Sequence, residues 1–444
     1  MKARTAFRIF SLFLLTVACA EEDTQLDAAL SNAFRGQLVS LQHYGGSLDD
    51  RAAALVSLDA GGFAVLGTTQ SVDGMLAGKT RAGEDYWLLR LDDSGNVSNS
   101  LTFGGNGGDV ATDLIATSDG GFLMGGYSMS ADGDASKNEG FHDTWFVKTN
   151  ASGGIEWEKS YGFAGHDHSY SVIQTEDGGY FSAGYLDVTA SGGAGNENSK
   201  HGVGEFWGQK LDASGNLEWR NYFGGSNNDR SYKALQTPDG GFMLIGFTES
   251  DDFDISQTHG SYDYWIVKLS KTGGMQWEKT FGGSGIDIAY DAVLLPNGDC
   301  LIVGQSNSTD GDVTASNGDF DAWVMRIDAA GNLKWQRSFG GADFEFARSI
   351  TPGPDNSFFI IGNSRSADTT SNGNAGANDI WVFQIDSEGQ LLWQETWGGA
   401  GIDLGTDAVY SEKGILYVLA TTASSSVESA SGFGKDDLIL LQLR

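Results

Sequence analysis

Residues 265–283 read WIVKLSKTGGMQWEKTFGG, and near copies of this stretch recur along the 444-residue chain. An apolar run, a turn containing glycine and a second run that ends in an aromatic residue and two glycines are typical of a β-hairpin. The FGG signature or a near variant starts at seven aromatic residues, 58 to 62 positions apart: Tyr44, Phe103, Tyr161, Phe223, Phe281, Phe339 and Trp397. This even spacing predicts one repeated structural unit rather than several unrelated domains.

Other residue types keep a fixed distance from that aromatic residue in each repeat. An acid stands six positions later: Asp50, Asp109, Asp167, Asp229, Asp287, Glu345 and Asp403. A small residue stands twenty-three positions later: Gly67, Gly126, Gly184, Gly246, Gly304, Gly362 and Ala420. A D-x-W element follows: Trp87, Trp145, Trp207, Trp265, Trp323 and Trp381, with Leu438 assigned to this position in the last repeat.

Each repeat reads as four short strands, here called a to d in chain order. In one repeat they are AYDAVLL, CLIVGQS, DAWVMRID and LKWQRSFGG, with Gly and Asn in the turns between them. Four-stranded units of about 58 residues are typical of propeller blades. The sequence therefore predicts an all-β, seven-bladed β-propeller over residues 36–444. The chain starts with a lone strand d and ends on a lone strand c, so the N-terminal strand d is predicted to close the ring beside C-terminal strands a–c.

The first residues indicate export. Lys2, Arg4 and Arg8 precede an apolar run that is too short to cross a bilayer and suits a signal peptide at residues 1–18. The run ends in LTVAC, which resembles a bacterial lipobox with Cys19 as the lipidated residue; ordinary signal cleavage nearby is the alternative. An acidic tether at 19–35 would follow. These features predict an outer-membrane lipoprotein at the cell surface, held by acyl chains such as palmitate.

The formal net charge of −32 disfavours nucleic acid and anionic lipid as partners and favours solubility and cations. An acidic surface is equally typical of proteins from salty habitats. Cys300 is the only cysteine besides Cys19, so the mature fold has no intrachain disulfide, and Cys300 stands at an aromatic position of the repeat, which predicts a buried thiol.

The consensus at 265–283 resembles the propeller repeats of secreted and surface proteins of Bacteroidota. More distantly, the LD-x-x-G-N-x-x-W stretch from Leu211 to Trp219 is similar to the tryptophan-docking repeat of quinoprotein-like propellers. Both resemblances imply the fold and are nearly silent on function, because propellers serve as enzymes, scaffolds and binders. Quinone ligands and an eighth blade are absent from the pattern, so no cofactor is carried over.

The repeat itself accounts for most conspicuous residues. Eleven of the twelve tryptophans occupy repeated positions on strands c and d, which predicts packing between blades rather than carbohydrate contacts. The seven acids are predicted to cap their own Gly-Gly turns through backbone N–H groups, with a cation-binding ring as the alternative.

Residues that depart from the repeat are the candidates for function. The long loops between strands b and c and the junctions between strands d and a should emerge on one face, where binding is expected. Five of the six histidines fall there. The predicted ligand-binding set is His142, His166, His168, His201, Arg230 and Tyr232.

Three interpretations of that set stay open. A lyase acting on acidic polysaccharide would use His168 or Tyr170 as base and Arg230 to neutralise a uronate carboxylate. His166, His168 and a carboxylate could instead bind a transition metal. The third interpretation is that these are loop histidines without a role.

Paired aspartates in three b–c loops, each with the acid of the D-x-W element, share one spacing and suit calcium: Asp132, Asp134 and Asp143; Asp252, Asp254 and Asp263; Asp310, Asp312 and Asp321. Asx turns are the alternative, and calcium is the only cofactor the sequence suggests. As a whole, the sequence favours a non-catalytic binding or scaffold propeller that contacts a polysaccharide or a partner protein through its loop-rich face. The lyase is the alternative.

Overall fold

The computed structural model describes residues 34–188, 202, 204–368, 373–428 and 430–444. They form seven four-stranded antiparallel sheets arranged in a ring, which confirms the all-β, seven-bladed propeller. The signal peptide, Cys19, most of the tether and His201 lie outside the described residues. Within the described ranges, no helix is long and apolar enough to cross a membrane.

The strands follow the repeat. The first strand is β1 (Leu38–Tyr44). Blade 1 contains β2 (Asp50–Ser57), β3 (Phe63–Thr69), β4 (Asp85–Leu91) and β5 (Val97–Phe103); blade 2 contains β6 (Asp109–Ala116), β7 (Phe122–Ser128), β8 (Asp143–Thr149) and β9 (Ile155–Tyr161); blade 3 contains β10 (Asp167–Gln174), β11 (Tyr180–Leu186), β12 (Glu205–Leu211) and β13 (Leu217–Phe223).

Blade 4 contains β14 (Asp229–Gln236), β15 (Phe242–Thr248), β16 (Asp263–Leu269) and β17 (Met275–Phe281); blade 5 contains β18 (Asp287–Leu294), β19 (Cys300–Ser306), β20 (Asp321–Ile327) and β21 (Leu333–Phe339); blade 6 contains β22 (Glu345–Pro352), β23 (Phe358–Ser364), β24 (Asp379–Ile385) and β25 (Leu391–Trp397). The remaining strands are β26 (Asp403–Tyr410), β27 (Leu416–Thr422), the short β28 (Ser426–Val427) and β29 (Ala430–Ser431), and β30 (Asp437–Leu443). Two 3-10 turns, Gly74–Leu76 and Pro354–Asn356, lie in connections.

Blade 7 is built from both ends of the described chain. Its strand order is β26-β27-β30-β1, so β1 is the outermost strand and pairs antiparallel with β30. Just before β1, Phe34 packs edge-on against Phe359 and Trp393 of blade 6. The predicted ring closure is therefore confirmed, and it removes the free edge that β30 would otherwise present.

Burial follows position within a blade. Strands b and c are sandwiched between neighbouring blades and are almost entirely buried, as in β15 and β16, which explains their continuous apolar runs. Outer strands such as β17 alternate between exposed and half-buried residues. The six strand-c tryptophans are at most 1% exposed, which confirms their packing role. Cys300 is fully buried, as predicted.

One assignment in the last repeat was wrong. Trp87 pairs across the sheet with Gly67, and the residue that pairs with the matching Ala420 is Ile439, not Leu438. Ile439 thus takes the tryptophan position, and its smaller side chain stands beside an alanine where the other blades have glycine.

Strand a carries a β-bulge in all seven blades. The pairing of strands a and b skips one residue, nine positions after the repeat aromatic. These bulge residues are Ala53, Thr112, Tyr170, Tyr232, Tyr290, Arg348 and Thr406. A bulge leaves its extra residue unpaired and redirects the side chain. Because strand a lines the central channel, the seven bulges form a ring of variable side chains there.

Candidate functional site

The b–c loops and the d–a junctions meet on one face, as predicted. The backbone N–H of Asp167 donates to the carbonyl of His142 over 2.7 Å, and Asp287 donates in the same way to Tyr262 over 2.8 Å. Short parallel bridges, such as His142 with His166, accompany these bonds. Each loop is thereby fixed against the junction of the next blade.

The seven acids six positions after the repeat aromatic, here called the ring acids, have a structural role. Each is buried and accepts a hydrogen bond from the backbone N–H four residues earlier, at distances of 2.5–2.9 Å. This confirms the predicted caps. The donors belong to Gly46, Gly105, Phe163, Gly225, Gly283, Gly341 and Gly399.

Each ring acid lies near the acid of a D-x-W element, and the two carboxylates flank the first glycine of FGG. A Cβ added at Gly104 would lie 2.1 Å from Asp85 Oδ1 and 2.7 Å from Asp109 Oδ2. Burial raises the pKa of Asp85 to about 6 and that of Asp167 to about 7. Burial, followed by the Asp229 carboxylate, raises the pKa of Glu205 to about 10. Glu205 therefore keeps its proton at neutral pH, beside the carboxylate of Asp229.

The central pocket lies at the bulge ring and has a volume of about 460 Å³. One wall is an arc of bulge residues from adjacent blades. The Tyr170 and Tyr232 ring centres are 5.0 Å apart, and those of Tyr232 and Tyr290 are 5.3 Å apart. Arg348 continues the arc, with its guanidinium 5.1 Å from the centre of the Tyr290 ring. The opposite wall contains Ala53, Thr112 and Thr406, whose small side chains leave space for the pocket.

Two arginines line this pocket, and a third lies close to its tyrosine wall. Arg51 lines it and pairs with Asp436 over 3.2 Å. Arg348 and Arg230 form no ion pair with any described residue. The Arg230 guanidinium lies 4.6 Å from the centre of the Tyr185 ring and its Nε donates to Asn228 over 3.1 Å. In a chain of net charge −32, cations without carboxylate partners beside aromatic rings are typical of an anion-binding site.

A layer of charges lies beneath the tyrosines. Lys233 Nζ is 2.8 Å from Asp291, and Asp113 and Asp407 interact electrostatically with the same lysine. Burial raises the pKa of Asp407 to about 6. These residues line a cavity of about 70 Å³, which they share with the tyrosine arc. The channel therefore has a polar floor beneath an aromatic wall.

Three of the predicted histidines come together. His142, at the end of the b–c loop of blade 2, meets His166 and His168 of blade 3, and one ring nitrogen of each lies within 4.8 Å of the others. His142 Nδ1 is 3.1 Å from His168 Nε2 and 2.9 Å from His166 Nδ1. His168 stacks on Tyr127 at 3.7 Å, and its Nδ1 is 3.3 Å from Tyr170 Oη. The structure thus brings these predicted site residues together, whereas His259 lies elsewhere, near Asp263.

The environment of His168 and Tyr170 weighs against a lyase base. The His168 residue is 8% exposed, and burial followed by the neighbouring imidazoles lowers its pKa to about 2. Burial has the opposite effect on Tyr170 and raises its pKa, whereas a tyrosine that acts as a base needs a lowered pKa. The Arg230 guanidinium, assigned to the uronate carboxylate in that hypothesis, lies over the Tyr185 ring and donates to Asn228.

The nine aspartates proposed for calcium engage separate partners. Asp132 accepts from the backbone N–H of Asn106 over 2.8 Å, and Asp252 and Asp310 accept from Ser226 and Ser284 over 2.7 Å. Asp134 pairs with Arg81 over 2.8 Å. Among the described residues, the histidine cluster is the group of metal-binding side chains that converges. The aspartate sets therefore act as turn acceptors in this structure.

Sequence reasoning missed half of the pocket. Tyr170 and Tyr232 were identified through their neighbours His168 and Arg230, but Tyr290, Arg348 and Lys233 were not. The available signal was the variability of the positions nine and ten residues after the repeat aromatic, in a repeat whose aromatic, acid, glycine and tryptophan columns are nearly constant. The predicted lipidation at Cys19 and ligand contact at His201 fall outside the described residues.

Comparisons with known proteins agree only at the level of the fold. No protein-family model and no curated protein matches the chain. Among solved structures, a protein of unknown function from Dyadobacter fermentans is 12% identical, with a TM-score of 0.48 over 92% of this chain and 99% of that one. The Neurospora crassa Pan2 WD40 domain is 9% identical (TM-score 0.49, 91% and 94% covered), and BamB from Moraxella catarrhalis is 11% identical (TM-score 0.44, 92% and 100% covered). Such distant likeness carries no argument about function, so the description of the chain as a seven-bladed β-propeller rests on its own seven sheets.

Proposed function

We propose that this protein is a non-catalytic binding propeller that takes an acidic glycan into the mouth of its central channel. The observation that carries the proposal is the arc of Tyr170, Tyr232, Tyr290 and Arg348 in a pocket of about 460 Å³. Tyrosine rings offer apolar faces to sugar rings and hydroxyls to their oxygens. A guanidinium without a carboxylate partner suits a uronate carboxylate.

The rest of the proposal comes from the sequence. A lipid on Cys19 would hold the propeller at the outer membrane, and the tether at 19–35 would let its loop-rich face meet polysaccharide outside the cell. A partner protein is the other ligand class that a loop-rich propeller face suits. The concave pocket, rather than a flat apolar patch, is the reason to favour a glycan.

The test is titration of the full chain with uronate-containing polysaccharides, and with the same polysaccharides after reduction of their carboxyl groups to neutral sugars. We expect saturable binding to the acidic forms only. Replacing Arg348 with Gln should weaken binding about tenfold or more, because a charge-assisted contact is lost. Arg337→Gln, on the exposed outer strand β21, is the matched control and should bind as the unaltered chain does.

Four outcomes would contradict the proposal. Equal binding of the reduced polysaccharides would remove the role of charge, and unchanged binding in Arg348→Gln would place the site elsewhere. Absorbance from an unsaturated uronate product during the same incubations would establish the lyase alternative instead of a binder. Absence of binding across the panel would leave a partner protein as the ligand class to pursue.

A further inference from the structure

The backbone contact between His142 and His166 belongs to the fold rather than to the histidines. The same parallel bridge joins Gly204 to Asn228, Tyr262 to Ile286, Phe320 to Phe344 and Asn378 to Ile402 at other blade junctions. A third side chain, two positions beyond the second bridge residue, completes each group. The propeller therefore brings the same three backbone positions together at each of these junctions, although Gly204 adds no side chain at one of them.

The junction of blades 5 and 6 shows what the fold accepts at these positions. There the three residues are Phe320, Phe344 and Phe346, with ring centres 4.9 Å apart for the first two and 5.8 Å apart for the last two. Three phenylalanine side chains are thus enough to fill these positions. The fold therefore does not explain why three imidazoles occupy the junction of blades 2 and 3.

Hydrogen bonding does not explain the histidine group either. His142 Nδ1 is 2.9 Å from His166 Nδ1 and 3.1 Å from His168 Nε2. A neutral imidazole nitrogen has one in-plane site, either an N–H or a lone pair, so His142 Nδ1 makes one good hydrogen bond and not two. Three nitrogens that converge in this way fit three lone pairs directed at one cation.

The distances are close to those of a metal site. Zinc binds imidazole nitrogen at about 2.0–2.1 Å in tetrahedral geometry, which puts ligand nitrogens about 3.3 Å apart. The two closest separations, 2.9 and 3.1 Å, reach that value through small side-chain rotations, and the third, which lies within 4.8 Å, shortens as His166 and His168 turn toward the same ion. Tyr170 Oη, 3.3 Å from His168 Nδ1, can accept a hydrogen bond from the N–H of that nitrogen, which leaves the lone pair of Nε2 free for the metal.

We propose that His142, His166 and His168 form a site for one divalent transition-metal ion of the zinc class. Imidazole ligands suit zinc, copper and nickel, whereas calcium and magnesium require oxygen. His168 is buried between Tyr127 and Tyr185, while His142 and His166 are half-buried, so the outer side of the ion stays open for water or a ligand atom. The site adjoins the tyrosine arc through Tyr170, but its test does not depend on glycan binding.

The experiment is calorimetric titration of the full, metal-stripped chain with Zn²⁺, together with Co²⁺ substitution followed by visible absorption. We expect one tight equivalent of Zn²⁺ and Co²⁺ d–d bands in the range of four- or five-coordinate sites. Replacing all three histidines with Phe copies the junction of blades 5 and 6 and should abolish tight binding. The single variant His166→Phe should weaken binding at least about 100-fold and is the safeguard if the triple variant does not fold.

His259→Phe is the matched control, because this histidine lies in another b–c loop and not in the cluster. It should retain one equivalent of zinc and the Co²⁺ bands. Less than one equivalent in the unaltered chain would overturn the proposal. So would zinc affinity in His166→Phe that equals that of the unaltered chain.

Discussion

The Arg348 guanidinium lies 5.1 Å from the centre of the Tyr290 ring, so the cation of one blade rests on the aromatic ring of the blade before it. The two residues occupy the same bulge position in consecutive repeats. A planar guanidinium can stack on the ring and still present N–H groups to the pocket. Lysine cannot do both.

Arg348→Lys therefore separates charge from stacking. We expect affinity for an acidic glycan to fall about three- to fivefold, since the cation–π contact weakens while the positive charge remains. The measurement is the same titration, run beside the unaltered chain and Arg348→Gln. A lysine variant as weak as the glutamine variant would show that charge alone does not support binding.

The pairing of strands a and b predicts a compensating exchange. In six blades an alanine or serine of strand a faces a glycine of strand b, as Ala289 faces Gly304, whereas in blade 7 Gly405 faces Ala420. A Cβ added at Gly304 would lie 1.9 Å from the backbone oxygen of Ile288. We expect Gly304→Ala to lower the free energy of unfolding by about 1–3 kcal/mol, as overpacking does.

The double variant Ala289→Gly, Gly304→Ala reproduces the arrangement of blade 7 and should recover part of that loss. Denaturant unfolding of the two single variants and the double variant measures the coupling. Strictly additive losses would show that blade 7 tolerates Ala420 for some other reason, such as the smaller Ile439 in place of tryptophan.

Glu205 should make stability depend on pH. Its pKa in the folded chain, about 10, lies above the ordinary value, so the folded state keeps a proton that the unfolded state releases. The contribution of this group is fully present below about pH 4.5 and declines as the pH rises toward about 10. We expect Glu205→Gln to melt at about the same temperature as the unaltered chain near pH 5, and at a higher temperature near pH 9.

Thermal unfolding across that pH range checks this prediction, with Glu176→Gln in an exposed turn as the control. The control should follow the unaltered chain at every pH. Parallel pH profiles for Glu205→Gln and the unaltered chain would show that Glu205 does not hold its proton.

Removal of β1 should expose β30. A chain beginning at residue 45 leaves the backbone N–H and C=O groups of β30 unpaired along an apolar strand, a template for pairing with another chain. We expect a lower melting temperature and self-association in size-exclusion chromatography with light scattering. A chain beginning at Phe34 keeps β1 and should stay monodisperse; equal behaviour of both truncations would contradict the closure.

The fold was predictable because packing between blades repeats the same residues at the same spacing. Trp265, Asp287 and Gly304 stand in columns that at least six of the seven blades share, so the sequence displays them several times. The pocket was only half predictable, because the bulge residues face the channel, where the packing that repeats between blades does not fix their identity. In the sequence, Tyr290 and Arg348 look like ordinary variation between repeats. The bulge in each strand turns both side chains toward the same pocket.

The histidine cluster was predictable in membership but not in geometry. His166 and His168 stand one residue apart, and the prediction that both lie on the loop-rich face needed only the repeat. That His142 Nδ1 approaches both depends on the course of the b–c loop in blade 2, where the hydrophobic pattern is weak. The carboxylate expected beside two histidines is replaced by this third imidazole.

Closure by β1 also sets an order of events during synthesis. The strand Leu38–Tyr44 is made long before Asp437–Leu443, with which it pairs. Blades 1 to 6 can each fold from one continuous segment as it emerges, but blade 7 requires contact between distant parts of the chain, which is intrinsically slow. Until β30 has been made, β1 therefore has no partner in its own sheet, and the ring closes only when the two strands meet.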